Sequence, residues 1–451
     1  MTPEFRMERD TMGEMRVPAA MLYGAQTARA VENFPISGLR FPRSFIRALG
    51  MIKSAAAKVN RELGHLDAEK AGAIERAADE IVAGAHDDQF VIDIFQTGSG
   101  TSTNMNANEV IGRLAGAHPN DDVNRGQSSN DVIPSAIHIA AAESAHRDLF
   151  PAIDRLHASL ARKAHEFHDV IKIGRTHLQD AVPMRLGQEF SGYARQVAAS
   201  RERIETALAG IYELALGGTA VGTGLNSAPG FATGVIREIA RRTELPFIEA
   251  RNHFEAQAAK DAVVFLSGAL RTYAVALVKI ANDVRWLGSG PRCGLGELRI
   301  PAVQPGSSIM PGKVNPVIAE SLLMVCAQVF GYDSTIAWSG AQGNFELNVM
   351  MPVMAYDLLQ SISLLAAGSR NFAERLVDGL EADRDRTASF VEQSLAMGTA
   401  LAPEIGYEKA AALVKQAYKE NKTVREVAAE KSGIPPDRLR ELLDPARQSG
   451  E

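Results

Sequence analysis

Apolar positions recur at helical spacing over most of this chain. From residue 43 to about 85 the pattern predicts two amphipathic helices, broken at Gly64-His65-Leu66-Asp67, with Asp67 placed to cap the second. Three longer Ala-rich segments, roughly 130–168, 184–214 and 252–288, keep the same period. In the last, Val263, Leu266, Leu270, Leu277, Ile280 and Val284 are joined by Phe265 and Val275, so little of the circumference is polar. A helix of that kind must be covered on several sides. Helices are also expected over Met105–Leu114, 316–338 and 346–378. The charged segment Glu381–Arg386 then leads into a smaller helical tail punctuated by Pro435-Pro436 and Asp444-Pro445. Residues 1–42 read as irregular, and strand character is confined to short stretches near 14–17, 170–174 and 296–300. The expected fold class is mainly α, a long central helical bundle with minor short β elements.

The 451 residues accord with about three domains at roughly 150 residues each. The divisions expected are a mixed, mostly helical 1–127, a long-helix bundle over 128–384, and a small helical 385–451. A formal charge of -6 argues against nucleic-acid binding, which rests on a basic footprint. It leaves an anionic small substrate open, because a site's local field is set by nearby groups. With only Cys293 and Cys326, neither a disulfide framework nor a Cys-ligated metal centre is expected. Met1 to Arg16 mixes both charge signs, unlike a secretory signal. No stretch reaches the ~20 uncharged apolar residues of a membrane span. A soluble cytoplasmic protein is the expectation.

Four polar motifs interrupt the helical background. The most informative is Gly306-Ser307-Ser308-Ile309-Met310-Pro311-Gly312-Lys313-Val314-Asn315-Pro316. It sets two hydroxyls, a cation and an amide on a segment whose glycines allow close approach to an anion. A P-loop needs four residues between its glycines and Ser or Thr after the Lys; here five intervene and Val314 follows Lys313. That reading fails. Thr97-Gly98-Ser99-Gly100-Thr101-Ser102-Thr103-Asn104 precedes the expected 105–114 helix, where backbone N–H groups could hold a carboxylate. His118-Pro119-Asn120-Asp121-Asp122 and Gln127-Ser128-Ser129-Asn130-Asp131 open the first long helix, and Gly174–Pro183 carries His177 between an expected strand and a Pro-started helix. The 97–104 and 118–131 motifs are also what ordinary helix caps would look like, a lone His such as His177 is more often structural, and Glu320 near a helix N-terminus would normally be a dipole partner.

Together these motifs resemble the class II fumarases of the fumarase/aspartase superfamily. The resemblance runs nearly the full length, through Tyr23–Thr27, Gly217–Asn226, Ser289–Gly294 and Asn344–Asn348. It implies a three-domain fumarase/aspartase-like fold and a reversible hydration of fumarate to L-malate without cofactor or metal. It also implies Ser307 as the base at C3, with His177 and Glu320 serving the hydroxyl end and Lys313 helping to stabilise the alkoxide. Thr101, Ser128, Ser129 and the Ser308 backbone would grip one carboxylate; Thr176, Lys313 and Asn315 would hold the other, with Ser99, Gly100, Asn130 and Val314 also in the binding set. His118, Pro119, Asn120 and Asp121 match a second anion site. The partners implied are a small dicarboxylate and three further copies of the chain, a homotetramer with shared sites. Aspartate ammonia-lyases of the superfamily usually carry Gln where His177 stands and Ala where Gly312 stands, so they are the alternative; a non-enzymatic scaffold, as in lens crystallins, is a remote one. One departure from the family is a shorter link between Asn108 and His118.

Overall fold

The computed structural model describes residues 5–450. They are mainly helical, and every sheet among them is a two-stranded pair. Packing divides the chain into two units. The first holds the residues up to Pro151 with Ser200–Ala274 and Val325–Ala367; the second holds Ala152–Ala199, Val275–Met324 and Gly368 onward.

In the first unit the helix Arg43–Glu62 buries Phe45, Leu49, Ile52 and Ala56, and packs against Ala68–Ala83, Ser129–Ser144 and Phe231–Thr243. Asp67 caps the Ala68–Ala83 helix as its position predicted, accepting from the Lys70 N–H at 2.8 Å. The 130–168 stretch is divided into Ser129–Ser144, a wide turn over Ala145–Leu149, and Phe150–Glu166. Pro151 follows that turn; it has no N–H to give to the preceding turn, and wider winding accommodates it. The 252–288 stretch also breaks, into His253–Ala258 and Asp261–Leu287. At the break the buried Lys260 ammonium donates to the carbonyls of Ala256, Gln257 and Ala259. Three carbonyls left over at a helix end thus share one cation.

The strand expected near 14–17 is present, but residues 5–42 are otherwise more regular than their sequence suggests. Phe5–Asp10 pairs antiparallel with Gly13–Pro18, and Ala25–Asn33 is helical. The ribbon carries charges along both strands, which hides its alternation. The Phe231–Thr243 helix was not expected either, since it follows a Gly-rich stretch; its buried stripe is Phe231, Val235, Ile236 and Ile239.

In the second unit Ile171–Thr176 pairs with Gln179–Arg185. Pro183 therefore lies in a strand, tolerated on a two-stranded ribbon, and the helix starts only at Leu186. Leu298–Arg299 pairs with Glu381–Ala382, so the charged segment begins as a strand. The tail closes a core of its own: Val391, Leu401, Leu413, Val427 and Leu443, with Ile173 packed among them.

Two helices, Asp261–Leu287 and Val317–Gly340, are long and apolar enough to cross a membrane by length and composition, with mean hydropathy 1.6 and 1.2. Charge interrupts both. Arg271 on the first pairs with Asp333 on the second at 2.7 Å, and Ser267 donates to the same carboxylate.

Candidate active site

The hydroxyl motifs of the first unit meet. Ser99 Oγ lies 2.7 Å from Thr101 Oγ1, which lies 2.6 Å from Ser129 Oγ. Gly100 rather than a hydroxyl residue stands at the N-cap of the Thr101–Ala115 helix, with no side-chain cap bond. The Ser99–Thr101–Ser129 chain is therefore not a capping device, and it sits where the first N–H groups of that helix emerge.

Capping does explain Ser128. Its hydroxyl accepts from the Asn130 N–H while Asp131 accepts from the Ser128 N–H at 2.9 Å, a reciprocal box. That box leaves the hydroxyl of the buried Ser129 to its neighbour Thr101. Asn130 reaches out and donates to the Ala220 carbonyl at 2.9 Å. Asp131 is fully buried, and burial pushes its carboxyl up to about 6, opposed by N–H groups of Ser128, Thr219 and Gly217. Lys53, also fully buried, donates to Asn124 and Gln127; burial lowers its ammonium to about 7.

His118, Asn120 and Asp121 are exposed around the wide turn Pro119–Val123. His118 Nδ1 accepts from the Asp121 N–H, and Asp122 accepts from the His118 N–H. The segment follows Gly116, which ends the preceding helix in a left-handed conformation. A cavity of about 370 Å³ opens there, lined in part by His118, Pro119, Glu109, Arg9 and Arg113.

In the second unit His177 and Leu178 form the two-residue turn of the 171–185 hairpin, with φ of 57° and 60°. Turns of that kind take Asn-Gly most readily, so two branched side chains in left-handed geometry are strained. The result is an imidazole held out at a hairpin tip, beside the exposed Thr176. Arg175 behind it is anchored to the fully buried Glu297 at 2.7 Å. Among the described residues no hydrogen bond joins His177 to Glu320.

The 306–316 loop holds its shape through its own main chain. The Gly306 N–H donates to the Lys313 carbonyl at 2.7 Å, and the Asn315 amide donates to the Gly306 carbonyl at 2.6 Å. Ser307 Oγ accepts from the N–H groups of Ile309 at 3.2 Å and Met310 at 2.9 Å. Ser308, Lys313 and Val314 are exposed, and Glu320 lies in the first turn of Val317–Gly340. Lys313, Val314, Asn315 and Glu320 line a cavity of about 770 Å³ together with Arg285, Arg299 and Asp383. Arg285 stands out only in the structure. Its signal was a cation set into the apolar Asp261–Leu287 helix; its Nε is buried without a partner, and Nη1 donates to Asn282. Among the described residues no group of three or more His, Cys, Asp or Glu side chains could hold a metal ion.

Chemically, the hydroxyl chain can accept an anion without paying a charge into a buried site, and the loop can lower the basicity cost of an ionised Ser307. A lyase family matches residues 13–331, and a fumarase C C-terminal family matches 398–447. The chain belongs to the class II fumarate hydratase family. The relative from Mycobacterium tuberculosis H37Rv, a class II fumarate hydratase, is 56% identical over 441 residues, covering 96% of this chain and 93% of its own. The solved class II fumarase of Schistosoma mansoni superposes with a TM-score of 0.97 at 41% identity, covering 99% of each chain. A fumarate lyase:delta crystallin from Brucella melitensis, solved with cobalt, gives 0.95 at 45% identity over 99% of this chain and 100% of its own. The mainly α fold expected from sequence is thus the fold of this family.

Proposed function

We propose that the chain catalyses the reversible hydration of fumarate to L-malate in the cytoplasm, without metal or nucleotide, as a homotetramer. Removal of the C3 proton of malate places a second negative charge on the adjacent carboxylate, and fixed donors at that carboxylate do most of the catalysis. Thr101, Ser128, Ser129 and the Ser308 backbone grip it, with Ser99, Gly100 and Asn130 alongside; Thr176, Lys313, Val314 and Asn315 hold the other end. Ser307 takes the proton. His177 delivers a proton to the departing hydroxide, with Glu320 as its orienting carboxylate in the assembled tetramer. His118, Pro119, Asn120 and Asp121 form a second anion site.

The observation that supports these roles best is the Ser307 oxygen, which receives two backbone N–H bonds inside the loop that carries Lys313 and Asn315. An alcohol works as a base only where its alkoxide is stabilised, and those donors do this. For the tetramer, support comes from apolar side chains left open on the long helices: Phe265, Trp286, Met324 and Trp338 are each more than half exposed. In the same reading the chain has three domains, 1–127, 128–384 and 385–451.

Ultraviolet absorbance of the conjugated double bond should appear with L-malate and stay far weaker with L-aspartate. Faster release of ammonia from aspartate would overturn the assignment, and loss of activity to a chelator would remove its metal-free part. For the assembly, Ser307→Ala and His177→Asn chains, each inactive, should regain activity when unfolded and reassembled together. Confirmed mixed tetramers without recovery would count against shared sites.

A further inference from the structure

The Gly217–Asn226 motif has no role in the scheme above, yet it is pinned hard against the hydroxyl site. Thr219 holds φ at 54°, a conformation a β-branched residue adopts only under constraint. Two buried side chains supply the constraint. Asp131 accepts from the Gly217 N–H at 2.9 Å and the Thr219 N–H at 3.0 Å, while its other oxygen takes the Ser128 N–H. From the opposite side Gln257, fully buried on the His253–Ala258 helix, donates to the Thr219 carbonyl at 2.8 Å. One residue later the Ala220 carbonyl receives Asn130.

We propose that Asp131 and Gln257 are positioning residues for the hydration reaction: by clamping Thr219 through its N–H and its carbonyl, they set where Ser129 and Asn130 stand. This rests on the reading that those side chains grip the reacting carboxylate. The clamp is expensive to bury. Gln257 Oε1 and Thr219 Oγ1 are both buried without a partner, and Asp131 carries its charge in a site with no exposure. A fold needing only stability would fill this position with apolar side chains at less cost. Strain and unpaired polar groups gathered beside a binding site are a mark of geometry held for function.

The carboxylate held by Ser129 is the one whose charge doubles in the transition state. Displaced donors therefore weaken the transition state more than the ground state, and the loss belongs in kcat. The test uses the full-length enzyme, with active sites counted by titration with a dianionic inhibitor. Asp131→Asn is isosteric but turns an NH2 toward backbone donors; Gln257→Met keeps volume and removes the tether. Each should lower kcat per site by about 10- to 100-fold, with KM changed less than about threefold, since a small misplacement near the reacting group has effects of that size. If Asp131→Asn does not fold, Gln257→Met carries the test. A kcat per site within about twofold of wild type in either folded variant overturns the proposal, as does a loss confined to KM. Wild-type protein that does not interconvert fumarate and malate would instead remove the functional reading beneath it.

Discussion

The hydroxyl cluster of residues 97–131 and the 306–316 loop are built on opposite principles. The cluster is packed. A Cβ placed on Gly98 would lie 1.8 Å from the Val349 carbonyl oxygen, and the Met351 N–H bonds to the Gly98 carbonyl. Its polar side chains bond one another, and the buried ionisable side chains Asp131 and Lys53 stand behind them. The loop is open. A Cβ on Gly312, at φ +78°, would meet nothing within 4 Å, and Ile309 at its crest is 84% exposed. In the proposed reaction this difference divides the labour. Donors that must be in place before charge develops belong in a rigid, desolvated shell. A base that works best in a dry site belongs on a segment that can close over the substrate.

Lys313 gives the sharpest break between the two regions. Lys313→Met should lower kcat/KM by about 10³-fold, as expected when the cation that holds one carboxylate and helps to stabilise the Ser307 alkoxide is lost. Its thermal unfolding should match wild type, because the side chain is exposed. A drop in Tm alongside the activity would mean the loop is part of the packed framework. The two glycines come next. Gly98→Ala should destabilise by about 3 kcal/mol or more, the upper range for overpacking against backbone. Gly312→Ala should cost only about 1–2 kcal/mol of local strain, the usual penalty for left-handed geometry. Equal shifts in calorimetric Tm would erase the contrast.

The smallest effect is a pH dependence within the packed unit. His138, whose Nδ1–H donates to the Glu213 carbonyl, is lowered by burial from 6.5 to about 4, so the folded state keeps it neutral. A depressed folded value gives stability that is present above pH 6.5 and lost as pH falls through 4. Asp131 runs the other way: its raised value gives stability that is present below 3.8 and lost as pH rises through 6, offsetting part of the His138 loss. His138→Gln should therefore show a shallower decline in Tm between pH 6.5 and 4 than wild type. Identical slopes would place the acid sensitivity elsewhere.

Much of this fold was legible because its helices are long and periodic. Arg43–Glu62, Leu186–Ile211, Val317–Gly340 and Met351–Arg375 fall within or close to the stretches their apolar spacing marked. The breaks were less visible. A wide turn before Pro151 and a buried Lys260 closing a short helix depend on where carbonyls find partners, which periodicity does not encode. The site was legible as motifs and not as geometry. Thr97–Asn104 looked like a cap, and only the Ser99–Thr101–Ser129 contacts separate it from one. Asp131 stood in view as the end of a polar run, but its hold on Gly217 and Thr219 spans 86 and 88 positions in sequence. Gln257 gave no signal, being one polar residue at the head of an Ala-rich stretch.

The central claim is that Ser307, stabilised by the N–H groups of its own loop, takes the carbon-bound proton. The most direct measurement is exchange of the C3 proton of L-malate with solvent in Ser307→Ala, beside binding of a dianionic inhibitor. The account predicts exchange almost abolished and inhibitor affinity nearly intact, because Lys313 and Asn315 remain. Normal C3 exchange in that variant would contradict it and leave the base to another group.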